Sequence, residues 1–286
     1  MSRTFTPVQL IEQSIVRRYH EELWSPMCKA VKRYQLIRPG DRIAACISGG
    51  KDSMLMGKML QMLQRHSEIP FQVEYLIMDP GYNPENRRMA EENARKLDLP
   101  YTIFESDIFE VANAQEKNPC FLCARMRRGC LYGKARELGC NKIALGHHFD
   151  DVVGTTVMGM FYGGQLQAMA PKLRAKNFPG MELIRPLYLV RERNIVAWQR
   201  FNDLHFLQCA CRFTEDSGGN GHPQGGGKRQ EIKELLRELK KVNPHVEDNI
   251  FASIHNLQLD TMVQWTWRGK TVSFLDEYDG WPEEKA

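Results

Sequence analysis

The sequence predicts an α/β protein built on a doubly wound, mostly parallel sheet, with helices before the sheet and a helical extension after it. Short apolar segments alternate with segments of helical periodicity from residue 42 to residue 204, and turn residues separate them. Strands that alternate with helices form parallel βαβ units, which give an open sheet covered by helices. The 286 residues, 42% hydrophobic and 26% charged, are enough for a sizeable core of ordinary globular composition.

Each element follows from its local pattern. Apolar residues at roughly helical spacing predict one or two helices over residues 7–34. Apolar runs bounded by turn residues then predict five strands, which cover residues 42–48, 71–78, 101–104, 142–146 and 182–187. Helical periodicity predicts a helix that ends near residue 66 and further helices over residues 83–97, 120–138, 150–162 and 192–204.

The composition changes after residue 212. Residues 217–227 are rich in glycine and predict a flexible linker. Beyond the linker, apolar residues from Ile232 to Val242 predict an amphipathic helix, and alternating aromatic residues predict a small hairpin over 264–271. A further helix is predicted over 246–259. The predicted domains are an N-terminal helical segment (1–36), an α/β domain (37–212), and a linker with a C-terminal helical extension (213–286).

The bulk charge of the chain does not by itself indicate a partner. The net charge is only +4, but residues 116–142 carry seven Lys or Arg against two acidic residues. Such a segment would steer a polyanion towards a nearby site, and a solvated helix face is the alternative interpretation. No apolar run approaches about 18 residues and the N-terminus lacks the core of a signal peptide, so we expect a cytoplasmic protein with no membrane segment.

The turn Ser48-Gly49-Gly50-Lys51-Asp52-Ser53 lies between a predicted buried strand and a predicted helix. Its two glycines allow the backbone to approach a ligand closely. The free N–H groups and the dipole at the start of the helix favour an anion such as a phosphate. The turn is not a Walker A loop, because the G-x-x-x-x-G-K-[ST] spacing is absent. The alternative interpretation is an ordinary glycine-rich turn.

Two further polar segments follow predicted strands. Asp79 ends the second strand, and Gly146, His147 and His148 follow the fourth. Ligands of open α/β sheets bind at the carboxyl ends of the strands, so these residues are expected to lie near the Ser48–Ser53 turn. Adjacent residues point in different directions, so the two histidines are not expected to bind one ion. Each histidine is interpreted either as a contact to the edge of a nucleotide or as a packing residue.

Eight cysteines in a cytoplasmic chain are not expected to form a disulfide framework. Cys120 and Cys123 form a C-x-x-C at the start of a predicted helix, which is consistent with a redox pair, half of a zinc site, part of an iron–sulfur site, or coincidence. With Cys209 or Cys211 as a third thiolate, a four-iron cluster would keep one iron open for an exogenous sulfide. Cys46, within the first predicted strand, is expected in the core.

The motifs together resemble a known family. The Ser48–Ser53 turn is similar to the S-G-G-x-D-S loop of PP-loop ATP pyrophosphatases, which split ATP between the α and β phosphates. The order of further segments over residues 20–212 resembles the tRNA 2-thiocytidine synthetase family. The segments that carry this resemblance are Cys120-x-x-Cys123, Arg127-Arg128-Gly129, Gly146-His147-His148-Phe149-Asp150-Asp151, Met160-Phe161-Tyr162-Gly163-Gly164, Pro171-Lys172-Leu173 and Arg185-Pro186-Leu187.

The resemblance implies an ATP-dependent tRNA sulfurtransferase. Such an enzyme binds ATP and Mg²⁺, adenylates the C2 oxygen of an anticodon-loop cytidine, and replaces that oxygen with sulfur delivered through a [4Fe-4S] cluster. The implied partners are tRNA, a cysteine desulfurase or other sulfide donor, and a second copy in a homodimer. The implied nucleotide-binding residues are Ser48, Gly49, Gly50, Lys51, Asp52, Ser53, Asp79, Gly146 and His147. The implied catalytic residues are Asp52, Asp150, Asp151 and Arg127, and the implied cluster ligands are Cys120, Cys123 and Cys209 or Cys211.

Two features depart from the family pattern. The distal cysteines read Gln208-Cys209-Ala210-Cys211 where the family has Pro-Cys-x-x-Cys, and the glycine-rich insertion is longer than expected. Three alternatives therefore stay open: a PP-loop enzyme that thiolates another nucleoside or a small molecule, a cluster-independent ligase similar to lysidine synthetase, and a metal-dependent tRNA-binding protein. Intact Lys51, Asp52 and Ser53 argue against the last of these.

Overall fold

The computed structural model describes residues 5–108, 119–207 and 227–278. The chain forms two compact units, Met1–Lys233 and Glu234–Ala286. The domain boundary predicted at residue 213 lies outside the described residues. Within the described ranges, no helix is long and apolar enough to cross a membrane.

A six-stranded sheet forms the centre of the first unit, in the order β3-β2-β1-β4-β6-β5. Five strands are parallel and β5 is antiparallel to β6. The strands are β1 Arg42–Ile47, β2 Gln72–Asp79, β3 Tyr101–Glu105, β4 Lys142–Ala144, β5 Lys172–Arg174 and β6 Glu182–Ile184. The predicted fold class is confirmed. The edge strand β5 was missed because it is only three residues long and mostly exposed.

Helices connect the strands at the predicted places. They are α1 Pro7–Gln13, α2 Ser25–Arg33, α3 Lys51–His66, α4 Pro84–Lys96, α5 Pro119–Glu137, α6 Phe149–Gly163, α7 Glu192–Phe201 and α8 Lys228–Val242. Two π-helical turns, Ser14–Arg18 and His20–Trp24, join α1 to α2. The start of α1 follows from its sequence, because Thr6 and Gln9 form a capping box around Pro7.

The core beneath the site is made by β1, β2, β4, β6 and the inner face of α5. Cys46, Leu76, Tyr132, Ile143 and Leu183 belong to one buried cluster there. Cys46 is therefore a core residue, as its place in a strand predicts. Burial raises the pKa of its thiol to about 12, which keeps it protonated and unreactive.

Two buried lysines fasten the N-terminal region to the sheet and α3. Lys58 on α3 pairs with Glu12 at 2.6 Å, and Lys142 at the start of β4 pairs with Asp41 at 2.7 Å. Lys142 also donates to the carbonyl of Leu36 at 2.9 Å. A buried charge needs such partners, because removing either one would leave the other uncompensated. These contacts hold the amino-terminal edge of the sheet, whereas the candidate site lies at the carboxyl edge.

The second unit contains the end of α8, helix α9 Val246–Ser253, a 3₁₀ turn Leu259–Thr261, and the short helix α10 Leu275–Tyr278. The predicted hairpin is present as strands β7 Gln264–Trp267 and β8 Lys270–Ser273, which pair antiparallel. The helix predicted over 246–259 ends earlier, at residue 253. The prediction of a flexible linker falls almost entirely on residues outside the described ranges.

Candidate active site

The Ser48–Ser53 turn connects β1 directly to α3. The Ser53 hydroxyl accepts the N–H of Ser48 at 3.0 Å and donates to the carbonyl of Gly50 at 3.0 Å, which closes the turn. Gly49 has φ +82°, and a Cβ there would lie 2.5 Å from a methyl carbon of Leu207. The positive φ therefore favours glycine, and a side chain at this position would also have to displace the Leu207 methyl group. The turn leaves the first N–H groups of α3 available to an anion.

A cavity of about 550 Å³ adjoins this turn. It is of the size of a small-molecule site and is mostly apolar with a few polar groups. The predicted site residues that line it are Ser48, Gly50, Asp52, Ser53, Arg127, Gly146, His147 and Asp151. The Ser48–Ser53 turn and residues 146–151 thus converge on one space, as their positions after strands predict, and helix α5 adds Arg127. Gly49, Lys51, Asp79 and Asp150 are not among the lining residues.

Gly146 brings the loop after β4 against the first turn of α3. A Cβ on Gly146 would lie 2.9 Å from the backbone nitrogen of Ser53 and 3.0 Å from the backbone carbon of Asp52. Backbone atoms cannot move aside cheaply, so only glycine permits this approach. The close packing aligns the β4 loop, and with it His147, beside the Ser48–Ser53 turn.

The two adjacent histidines have different surroundings. Burial, with the nearby charge of Arg185, lowers the pKa of His147 to about 4, so its ring is neutral at pH 7. His148 is buried among three carboxylates. Its Nδ1 lies 3.5 Å from Oδ2 of Asp151 and 3.7 Å from Oδ2 of Asp150, and its Nε2 lies 3.9 Å from Oδ1 of Asp52. His148 therefore contacts Asp52 and both adjacent aspartates of α6, whereas His147 lines the cavity.

Among the described residues, the carboxylates that line the cavity are those of Asp52 and Asp151. Burial raises the pKa of Asp52 above its usual value, although the charges of His148 and Lys51 oppose the rise. Within the described residues, Oδ1 of Asp52 is buried without a hydrogen-bond partner. A buried carboxylate oxygen that lacks a donor is suited to a cation, and two carboxylates with phosphate oxygens are a common Mg²⁺ arrangement.

Asp150 makes different contacts from its neighbour Asp151. Its Oδ2 accepts the backbone N–H of Glu192 at 2.7 Å, and its Oδ1 lies 3.6 Å from Nε of Arg191. Asp150 thus holds the first turn of α7. This contact also brings Glu192 to the site.

Glu192 joins two lysines that are distant in sequence. Its carboxylate lies 3.1 Å from Lys51 Nζ and 3.0 Å from Lys233 Nζ. Burial alone would raise its pKa, but the hydrogen bond from Lys233 and the charge of Lys51 lower it to about 2. Sequence analysis missed Glu192, because no local motif marks a partner 141 residues from Lys51.

Asp79 supports the turn from behind. Its Oδ1 accepts the N–H groups of Gly81 at 2.9 Å and Tyr82 at 2.6 Å, and its Oδ2 lies 3.3 Å from Arg87. The hydroxyl of Tyr82 then donates to the carbonyl of Ser48 at 3.2 Å. Asp79 therefore stabilises the loop that contacts the Ser48–Ser53 turn and is not itself among the residues that line the cavity.

The cavity carries more positive than negative charge. Its lining includes Arg127, Arg128, Arg185 and Arg229, against the carboxylates of Asp52 and Asp151. Burial, reinforced by the charge of Arg128, lowers the pKa of Arg185 to about 10. Four guanidinium groups around one small space favour a polyanionic ligand. Arg185 and Arg229 were not among the predicted site residues, although Arg185 belongs to the Arg185-Pro186-Leu187 segment of the family resemblance.

The predicted cluster cysteines are only partly within the described residues. Cys120 and Cys123 lie in the first turns of α5, and Arg127 follows Cys123 by four residues on the same helix. Cys209 and Cys211 lie outside the described residues. Leu207, two residues before Cys209, donates its N–H to the carbonyl of Gly49 at 3.2 Å. Among the described residues, no group of three His, Cys, Asp or Glu forms a metal site.

Comparison with known proteins agrees with this geometry. Residues 21–212 match the PP-loop domain family. The chain is 37% identical to the tRNA-cytidine(32) 2-sulfurtransferase of Alcanivorax borkumensis over 80% of its own length and 78% of the relative's. It is 38% identical to that of Alkalilimnicola ehrlichii over 80% and 71% of the two lengths.

A solved structure shares the fold. The U34-tRNA thiolase NcsA from Methanococcus maripaludis, with its [4Fe-4S] cluster, superposes with a TM-score of 0.63 at 20% sequence identity. The match covers 85% of this chain and 80% of the thiolase. At this level of identity the likeness concerns the fold.

Proposed function

This chain belongs to the PP-loop family and, within it, to the tRNA-cytidine(32) 2-sulfurtransferases, and from that premise we propose how its residues perform the reaction. The substrates are ATP and a tRNA whose cytidine, at the position given in the relatives' name, receives sulfur at C2. The observation that carries the proposal is that the Ser48–Ser53 turn, two carboxylates and four arginines line one cavity.

The turn binds the phosphates of ATP. Ser48 and Ser53 line the cavity, the N–H groups at the start of α3 adjoin it, and the helix dipole adds attraction for an anion. Gly50 leaves room for a phosphate to approach the backbone. Gly49, Lys51 and Asp79 do not contact the ligand in this proposal. They stabilise the turn and the loop next to it.

Asp52 and Asp151 bind Mg²⁺ together with phosphate oxygens of ATP. Mg²⁺ prefers one or two carboxylates plus substrate phosphates over a cage made only of protein groups. The unpartnered oxygen of Asp52 supports this assignment. Asp150 is assigned to the support of α7 and not to the metal, which divides the roles of two adjacent aspartates.

The chemistry consists of two substitutions. The C2 oxygen of cytidine attacks the α-phosphorus of ATP, an O–P bond forms, and pyrophosphate leaves with the electrons of the α–β bond. Sulfur at the oxidation level of sulfide then bonds to C2, and AMP leaves with the former C2 oxygen. The arginines that line the cavity, including Arg127, stabilise the charge on the departing phosphates. No oxidant or reductant is consumed.

The cysteines fit a [4Fe-4S] cluster at the edge of this site. Thiolates are the ligands that such clusters take, and Cys120 and Cys123 precede Arg127 on one helix. Cys209 and Cys211 follow Leu207, which is bonded to the Ser48–Ser53 turn. We assign Cys120, Cys123 and one of Cys209 or Cys211 as ligands, and the bound cluster would supply the sulfur atom. A cysteine desulfurase or another sulfide donor, a homodimeric state and a cytoplasmic location complete the proposal.

Mass spectrometry of tRNA nucleosides tests the proposed function. In a strain that lacks this gene, we expect 2-thiocytidine to disappear, and a plasmid copy of the gene should restore it. A plasmid copy with Asp52→Asn should not restore it. Unchanged 2-thiocytidine together with loss of another thionucleoside would contradict the assigned base. No change in any thionucleoside would contradict tRNA thiolation altogether.

A further inference from the structure

The first two turns of α8, residues 228–233, lie beside the candidate active site, although they are outside the matched family domain, which ends at residue 212. Arg229 lines the same cavity as Ser48, Gly50 and Asp52. The helix follows residues 208–226 in the chain, so sequence analysis treated it only as part of an extension. Its position raises the question of what Arg229 does there.

Contacts on both sides of Arg229 fix this helix start to the first unit. The hydroxyl of Tyr162 on α6 donates to Glu231, and Lys228 Nζ lies 4.9 Å from the centre of the Tyr162 ring. Lys233 Nζ pairs with Glu192 at 3.0 Å. Three side chains within six residues therefore make contacts with α6 and α7. The position of Arg229 at the cavity follows from these contacts.

Arg229 is a cation that the described protein does not neutralise. It is exposed to solvent, and among the described residues it makes no ion pair, whereas Lys228, Glu231 and Lys233 all have partners. Its charge also disfavours protonation of His147, which faces the same cavity. Arg229 lies at the rim of a cavity that three other arginines also line. A phosphate of the ligand is the expected counter-ion for its guanidinium.

We propose that Arg229 binds the phosphates of ATP and that the start of α8, residues 228–233, is therefore part of the nucleotide site. This inference rests on the proposed function, because it takes ATP as the occupant of the cavity. ATP is favoured over a tRNA phosphate because Arg229 shares the cavity with the N-terminus of α3 and the Ser48–Ser53 turn. The fork of guanidinium donors suits two phosphate oxygens.

Binding measurements on the full-length, anaerobically purified protein test this inference. The probes are α,β-methylene-ATP with Mg²⁺ and, separately, adenosine, each titrated without tRNA. We expect Arg229→Gln to weaken binding of the ATP analogue about 10- to 100-fold, as loss of a charge-assisted hydrogen bond would. Adenosine affinity should not change. Arg229→Lys should recover part of the affinity, since it restores the charge without the fork.

The matched control is Arg237→Gln, which removes an exposed arginine two turns further along the same helix. It should bind both probes as the wild type does. Equal analogue affinity in Arg229→Gln and wild type, or equal weakening for adenosine and the analogue, would overturn the inference. Weakened tRNA binding with normal analogue binding would also overturn it, in favour of a tRNA contact.

The same experiment distinguishes failure of this inference from failure of the proposed function. Wild-type protein that binds the analogue with the expected Arg229 dependence, but that forms no 2-thiocytidine, would leave this inference intact and refute the sulfurtransferase reaction. Wild-type protein that does not bind the analogue at all would refute both.

Discussion

At the residue scale, Asp52 combines a functional position with an unfavourable charge. Burial raises its pKa, so the ionised form is disfavoured in the folded protein compared with the unfolded chain. Such a group lowers the free energy of unfolding once the pH exceeds the pKa that its side chain has in the unfolded chain. A neutral isostere should therefore be tolerated by the fold while it removes the carboxylate that is proposed to bind Mg²⁺.

We predict that Asp52→Asn lowers AMP formation by at least ~100-fold and leaves the melting temperature unchanged or slightly higher. Pyrophosphate release and thermal unfolding measure the two effects. The matched control is Asp98→Asn, which changes an exposed aspartate after α4 and should alter neither. A normal rate of AMP formation in Asp52→Asn would contradict the assigned role.

His147 provides a residue-scale prediction about pH. Its pKa falls to about 4 in the folded protein, below its ordinary value near 6.5. Between these values the unfolded chain binds a proton that the folded protein excludes, so this residue lowers stability as the pH falls from 6.5 towards 4. This residue lowers the free energy of unfolding at pH 5 by on the order of 1–2 kcal/mol relative to pH 7.

We therefore expect His147→Asn to lose less free energy of unfolding between pH 7 and pH 5 than the wild type. Urea titrations at the two pH values measure the difference. An identical pH dependence for wild type and His147→Asn would show that the ring is not held neutral.

At the scale of elements, the contact between the β4 loop and α3 depends on one glycine. A Cβ on Gly146 would press on the backbone of Ser53 at 2.9 Å. We expect Gly146→Ala to shift the start of α3, to cost about 1–3 kcal/mol of stability, and to weaken ATP binding. Gly154→Ala on α6 is the control, because a Cβ there meets nothing within 4 Å. Tight ATP binding by Gly146→Ala would contradict this account.

The cysteine segments give a second prediction at this scale. Two segments, one at the start of α5 and one after Leu207, are proposed to supply three thiolates. We expect the anaerobic protein to contain about four irons, and one of Cys209→Ser and Cys211→Ser to lose them while the other retains them. Iron analysis and the visible spectrum measure this. Cys28→Ser, far from both segments in sequence, should keep the iron. Full activity in a colourless, zinc-loaded protein would refute the cluster.

At the scale of the whole molecule, the two compact units should respond differently to ATP. The cavity is lined by residues of the first unit, and a ligand stabilises the structure that binds it. We expect an ATP analogue with Mg²⁺ to slow amide hydrogen exchange in β1, α3 and the start of α6. Exchange in the β7–β8 hairpin should not change. Equal protection of the hairpin would indicate that it takes part in nucleotide binding.

Much of this molecule was predictable from sequence because the relevant signals are local. Alternating apolar segments and turn residues predicted five of the six strands in the central sheet and the C-terminal hairpin. The Ser48–Ser53 turn and Gly146 follow strands, and strand ends meet at one edge of a parallel sheet. Local signals in the sequence were therefore enough to predict the fold class and the family, and they predicted a candidate site at this edge of the sheet.

The different contacts made by neighbouring and by distant residues become visible only in the folded chain. Asp150 and Asp151 are adjacent and chemically identical, yet one caps α7 and the other lines the cavity, because the helix presents them to different neighbours. Glu192 and Arg229 reach the site from distant elements, through contacts that no sequence spacing encodes. Such roles depend on packing across the chain, which local propensity and motif do not specify.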